Sequence, residues 1–256
     1  MIEAILSADS FTVGENVPEF VLRPGVIFLL IKDGSGRLLN LDGSFSALSS
    51  AGCLMLRFVL QSGIDEAIKS TCKLFDVNEE RVRIDLERLL GNLEHWNYIL
   101  RRGSVLPVKR DLAFVKSILN VALLIPFFRR SLRFQAGVLL LISWFSFRFL
   151  GWNWTITSWK EAAISFQKRP STAPDTQKIA DAVRYSSASL PWKIDCKEQT
   201  LACWFLCAQA GMPVSMVLGI MIYPLASHFW CEWEGQCLTD DPEKSRRYTP
   251  IIRYKT

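Results

Sequence analysis

The sequence predicts an α+β chain of two domains, and three observations lead there. Residues 26 to 100 alternate a short strand pair with three amphipathic helical stretches. Residues 179 to 241 run helix, helix, apolar strand and hairpin. Between them lie two strongly apolar stretches and a polar, proline-bearing one. At 256 residues the chain can build two modest cores. Half of it is hydrophobic and 21% is charged, which excludes a disordered protein.

The first domain, residues 1 to 105, is built in order. "VIFLLIKDGSGRLLNLD" gives two strands around the turn Asp33-Gly34-Ser35-Gly36. In "SFSALSSAGCLMLRFVLQSG", Leu48, Ala51, Met55, Phe58 and Val59 share a helical face, and Gly63 ends the helix. Residues 64 to 75 form a second helix, with Ile64, Ala67, Ile68, Cys72 and Phe75 facing one way. Asn78 is a suitable N-cap for a third, with Glu79 and Glu80 in its first turn. Its apolar face is Val82, Leu86, Leu89, Leu90, Leu93 and Trp96. Two strands and three helices of this size make a small winged-helix-like unit.

This order resembles the PqqD-like domain, the peptide-recognition element of ribosomal-peptide modifying pathways. The pieces that carry the likeness are "GVIFLLIKDGSGRLLNLDGSFSALS" and "LQSGIDEAIKSTCKLFDVNEERVRIDLERLLGNLEHWNYI". The resemblance implies that a precursor's leader peptide adds as a strand beside the third helix. The groove would be lined by Leu38, Leu39, Asn40 and Leu41 and by Val82, Asp85, Leu86 and Leu89. Backbone bonds would give affinity and side-chain pockets specificity. The alternative is that these leucines are plain core, above all Leu86 and Leu89.

The second domain, residues 106 to 256, opens on an apolar helical hairpin at about 111 to 151. Neither arm is a clean membrane span. The first holds Lys116, Asn120 and Pro126. The second is uncharged only from Phe134 to Phe147, short of the ~20 residues a span needs. A hairpin packed on the rest of the domain is expected. Contact with a membrane surface is the lesser alternative, resting on Arg129, Arg130, Arg133 and the tryptophans at 144, 152 and 154. "SFQKRPSTAPDTQK" is a connector, and a helix follows from Ile179 to Ser189.

"DCKEQTLACWFLCAQAG" begins the next helix. Asp195 is its N-cap and Glu198 completes a capping box. Cys196 falls in the first turn, where free amides and the helix dipole favour a thiolate and lower the thiol pKa. Cys203 and Cys207 alternate with core residues and read as small hydrophobes. "MPVSMVLGIMIY" is a buried strand, and "SHFWCEWEGQCLTDD" a hairpin with its turn at Glu234-Gly235. A three-residue loop, Trp233 to Gly235, sets His228 opposite Asp240. A two-residue loop sets Asp241 there instead, and the sequence leaves that slip open.

Nucleophile on a helix start, base on a strand and carboxylate on the next strand form a Cys-His-Asp set, the architecture of papain-like and transglutaminase-like enzymes. His95, on the third helix, reads as structural. Residues 179 to 241 resemble the transglutaminase-like cysteine peptidase of lasso-peptide biosynthesis, the B2 protein. "IADAVRYSSASLPW", "DCKEQTLACWFLCAQAGMPVSMVLGI" and "YPLASHFWCEWEGQCLTDD" carry the likeness. It implies Cys196 as nucleophile, His228 as general base and Asp240 as the orienting acid. Here Cys196-Lys197-Glu198-Gln199 stands for the family's Cys-Leu-x-Arg, and Ser227-His228-Phe229-Trp230 for its Ala-His-Ala-Trp. The family implies a precursor leader as substrate and an asparagine-synthetase-like macrolactam cyclase as partner. ATP is used by that partner, and no cofactor is expected in this chain.

Other classes are set aside. Two histidines and no zinc-type spacing argue against a metal site. A net charge of +5 with scattered basic residues argues against nucleic acid. "MIEAILSADSF" has no signal-peptide pattern, and seven cysteines without a CxxC pair suggest free thiols in the cytoplasm. Two rivals to the peptidase stand: a non-catalytic peptide carrier with the second domain as scaffold, and a transglutaminase-like acyltransferase that joins an amine.

Overall fold

A computed structural model describes residues 2–7, 18–104, 131–166 and 175–255, the side chains of 2–7, 165 and 166 excepted. The chain divides into two compact units, residues 1–108 and 109–256.

The first unit holds a four-stranded antiparallel sheet in the order β1 (Ile2–Ser7), β3 (Val26–Ile31), β4 (Gly36–Asn40), β5 (Ser44–Leu48). A two-stranded ribbon pairs β2 (Phe20–Leu22) with β6 (Ile99–Arg101). Between β3 and β4, Asp33 Oδ1 accepts from the Ser35 amide at 2.8 Å and its hydroxyl at 2.6 Å, which closes the turn. Gly36 follows because nothing larger fits: a Cβ there would lie 2.8 Å from the Phe28 ring and 2.9 Å from Cys53 Sγ.

Three helices complete this unit: α1 (Ser50–Ser62), α2 (Ile64–Phe75) and α3 (Glu79–His95). Their caps are local. Ser49 accepts from the Gly52 amide at 3.2 Å, and Asn78 from the Glu80 amide at 2.7 Å. Val82, Leu86, Leu90 and Leu93 of α3 pack with Phe28 and Leu38 of the sheet and Leu56, Val59 and Ile68 of the other helices. Truncating one such leucine costs about 2–5 kcal/mol.

Two sequence expectations change here. The stretch from Ser44 to Leu48 is a strand, paired to β4 with Arg37 opposite Ala47, and the helix starts only after the Ser49 cap. Phe75 and Trp96 are exposed, not on the inner faces. The left-handed Asp76 (φ 51°) ends α2, and Trp96 is itself the cap that ends α3, so neither completes an apolar stripe.

The second unit is built on the antiparallel sheet β10 (Thr249–Lys255), β7 (Ser215–Met221), β8 (Ala226–Trp233), β9 (Gln236–Cys237). Its helices are α4 (Leu132–Leu150), α5 (Trp152–Phe166), α6 (Thr176–Ser189), α7 (Cys196–Gln209) and the one-turn α8 (Pro242–Ser245). Glu198 and every residue from Thr200 to Ala208 are buried, so α7 is the central helix. It packs on β8, with α4, α5 and α6 around it.

The first arm of the expected apolar hairpin lies outside the described residues. The second is α4, which turns Ala136, Leu139, Leu140, Ser143 and Phe147 inward and packs on α6 and α7. Among the described residues no helix is long and apolar enough to cross a membrane. Helix α6 begins at Thr176, three residues earlier than its periodicity suggests, because Asp175 caps it by accepting from the Gln177 and Lys178 amides at 3.0 and 3.2 Å.

Candidate active site

The start of α7 is fixed by short-range bonds. Glu198 Oε2 accepts from the Asp195 amide at 2.9 Å, one half of a capping box. Lys193 Nζ lies 3.2 Å from Asp195 Oδ1. This makes Cys196 the first residue of the helix. One turn on, Thr200 Oγ1 donates to the Phe229 carbonyl at 2.9 Å and ties α7 to β8. That joint brings the thiol beside the strand that carries His228, and the Phe229 backbone hydrogen-bonds the sulfur.

The thiol's electrostatics correct the sequence expectation. Its pKa is raised, first by burial and then by the carboxyls of Glu198 and Asp195. The Phe229 bond and Lys244 oppose this without reversing it. The capping box that creates the helix N-terminus also sets two acids beside the sulfur. Cys196 therefore rests as a neutral thiol and needs a base to attack.

His228 stands on β8 opposite Gly219 of β7. Its ring stacks on Trp230 at 5.9 Å and 22° and meets Tyr248 at 5.1 Å. Gly219 leaves the space for this: a Cβ there would lie 2.7 Å from the Trp230 ring and 2.9 Å from Tyr248 Cβ. Burial lowers the imidazole pKa, Asp240 opposes it and Lys244 adds to it. His228 is thus neutral and able to accept a proton.

His228 Nε2 lies 2.7 Å from Asp240 Oδ2. The ring N–H does not point squarely at the oxygen, so the pair is close without a straight hydrogen bond. Asp240 Oδ1 accepts from the Asp241 amide at 2.8 Å, and Oδ2 from Lys244 Nζ at 2.7 Å. Burial alone would raise this carboxyl, but those two bonds and the charge of Lys244 hold it below its ordinary value, ionised.

Asp240 arrives by a route the sequence reading did not foresee. The hairpin loop has two residues, Glu234 and Gly235, both at positive φ (47° and 80°), with Trp233 paired to Gln236. The three-residue loop is thus corrected. Continued pairing would set Asp241 opposite His228, but the paired strand ends at Cys237. The Leu238 amide still reaches the Cys231 carbonyl at 2.8 Å, while the Cys231 amide turns to Thr239 Oγ1 at 3.0 Å. Freed from the ladder, the chain swings Asp240 inward. Asp241 instead caps α8, accepting from the Glu243 amide at 2.9 Å.

Cys196, Gln199, His228, Asp240, Lys244 and Tyr248 line one cleft of about 1330 Å³. Sequence reasoning missed Lys244, Tyr248, Thr200 and Gly219. Only Lys244 left a local signal, its i,i+4 spacing from Asp240 across an Asp-Pro helix start. All seven cysteines are free thiols, and Cys203 and Cys207 are buried. Among the described residues no group of three or more His, Cys, Asp or Glu is placed to hold a metal ion.

The expected peptide groove needs correction. Leu38 and Leu39 are 0% and 2% exposed on β4, which is hydrogen-bonded on both sides, to β3 and to β5. No further strand can pair at Leu38 to Asn40. The Leu41 amide is taken by the Gly25 carbonyl at 2.9 Å. Val82 and Leu86 are core, and Leu89 packs partly buried against it. Asp85 is at the surface, 3.2 Å from Arg81 Nε. The edge strands of this sheet are β1 and β5; β5 leads into α1, whose first turn Leu89 of α3 approaches, Leu89 Cδ2 lying 3.8 Å from where a Gly52 Cβ would stand.

With this geometry in place, residues 144–253 match the family model of the transglutaminase-like superfamily. The second unit therefore carries a transglutaminase-like domain, and Cys196, His228 and Asp240 fall inside it. No curated protein and no solved structure matches the chain.

Proposed function

We propose that this chain is a leader peptidase of lasso-peptide biosynthesis, cutting a ribosomally made precursor between leader and core. The observation that carries the reading is a first-turn cysteine sharing a cleft with a neutral histidine and its aspartate, inside a transglutaminase-like domain. His228 turns Nε2 to Asp240, so Nδ1 is the nitrogen left to take the Cys196 proton. The sulfur attacks the scissile carbonyl. The Cys196 amide, free at the helix start, stabilises the oxyanion. The imidazolium then protonates the leaving amine. Water, deprotonated by His228, releases the leader as a carboxylate from the thioester.

In the first unit the leader adds as a strand along the open β5 edge, and the freed core amine passes to an ATP-using cyclase partner. Tethering the leader there raises its effective concentration at the cleft. Free thiols suit a reducing cytoplasm.

The test is incubation with a candidate lasso precursor peptide, leader and core joined, read by mass spectrometry. Wild type and Cys203→Ala should release the leader, and Cys196→Ala should not. Full release by Cys196→Ala overturns the reading. Adducts to an added amine in place of the free acid would show an acyltransferase instead.

A further inference from the structure

Asp240 Oδ2 has two suitors. Lys244 Nζ and His228 Nε2 each lie 2.7 Å from the same oxygen. Lys244 makes the properly directed hydrogen bond, and His228 meets the oxygen obliquely. The other oxygen is occupied by the Asp241 amide. Both carboxylate oxygens therefore have partners, and much of the charge on Oδ2 is met by an ammonium. Lys244 is well placed to do this. It lies one turn beyond Asp240 on α8, whose start is fixed by Pro242 and the Asp241 cap.

We infer that Lys244 is a positioning residue for the candidate base: by sharing Asp240 Oδ2 it weakens the aspartate's pull on His228 and keeps the imidazole neutral. This rests on the peptidase reading for its catalytic meaning, but the charge relation stands without it. An uncompensated aspartate beside His228 would favour the imidazolium. A cation held there disfavours it twice, by neutralising Asp240 and by direct repulsion. The groups around the ring and the lysine agree on the sign. Trp230 and Tyr248 flank the ring. Asp240 is the acid facing it, and Lys244 lowers its proton affinity alongside burial. Cys196, across the cleft on α7, rests as a thiol, and its nearest acids are Glu198 and Asp195 of the capping box. The same ammonium favours the thiolate as it forms. Lys244 thus serves both partners of the proton transfer, holding the base unprotonated and easing ionisation of the sulfur.

The test needs no substrate. The chain has two histidines, so His95→Gln leaves a single imidazole signal to follow by NMR across pH in the full chain. In that background Lys244→Met should raise the His228 midpoint by about one pH unit, and Lys244→Arg should bring it back towards wild type. Lys244 is half exposed on a one-turn helix, and Lys244→Gln provides a second neutral variant, with circular dichroism confirming the fold. An unchanged or lowered midpoint in both neutral variants overturns the inference. With the precursor in hand, the acid limb of kcat/KM should move to higher pH by the same amount, and a limb that stays put also overturns it. Loss of the peptidase reading would show separately, as leader release by Cys196→Ala, and would leave the NMR shift to be read on its own.

Discussion

Thr200 Oγ1 donates to the Phe229 carbonyl at 2.9 Å, fastening the second turn of α7 to the residue next to His228. Both groups are buried, and the bond joins the element bearing the candidate nucleophile to the one bearing the base. Thr200→Val keeps the shape but leaves that carbonyl without its hydroxyl. A loss of about 1–3 kcal/mol in urea unfolding is expected, with a fall in kcat that Thr200→Ser largely escapes. A valine variant as active as wild type would show that the joint does not set the cleft.

Adjacent aspartates should behave differently. Asp240 faces His228, whereas Asp241 caps α8. Asp240→Asn should lower kcat by about 10⁴-fold, since an amide favours the wrong imidazole tautomer. Asp241→Asn should change little, because asparagine is an equally good cap. Steady-state kinetics on both decide the matter, and a reversed order would contradict the assignment.

Gly219 is a steric requirement of the site. A methyl group there meets the Trp230 ring at 2.7 Å and Tyr248 Cβ at 2.9 Å, the two groups that flank His228. Gly219→Ala should cost about 1–3 kcal/mol and reduce turnover as the rings shift. Thermal melts and kinetics measure the two effects, and a neutral outcome in both would refute the packing argument.

The buried histidine also predicts a pH dependence of stability. His228 is held below its ordinary 6.5, burial being the main cause. The unfolded chain then binds this proton more readily than the folded one, so stability is intact above 6.5 and is lost as pH falls towards the folded value. Urea unfolding at about pH 7 and about pH 5.5 should show the loss, and His228→Gln should show less of it. The difference isolates the imidazole from Glu198, whose raised carboxyl works with the opposite sign. Equal losses in both proteins would rule the effect out.

What the sequence by itself determined was local in origin. The Asn78 and Asp195 caps, the Asp33 turn and the inner stripe of α3 each depend on residues within a turn or two, so spacing reveals them. Cys196 at a helix start and His228 on a strand were legible for the same reason. Other features depended on what lies across space. "SFSAL" has no strong strand pattern and is a strand because β4 offers it a partner. Leu38 and Leu39 look available until β5 closes the second side of β4. Asp240 reaches His228 because the ladder breaks after Cys237, where Thr239 takes a backbone amide, a choice that no turn rule contains. The direction of the thiol pKa was decided the same way. A helix N-terminus pulls it down in any context, but burial and the capping acids outweigh that pull, and desolvation exists only once the chain has packed.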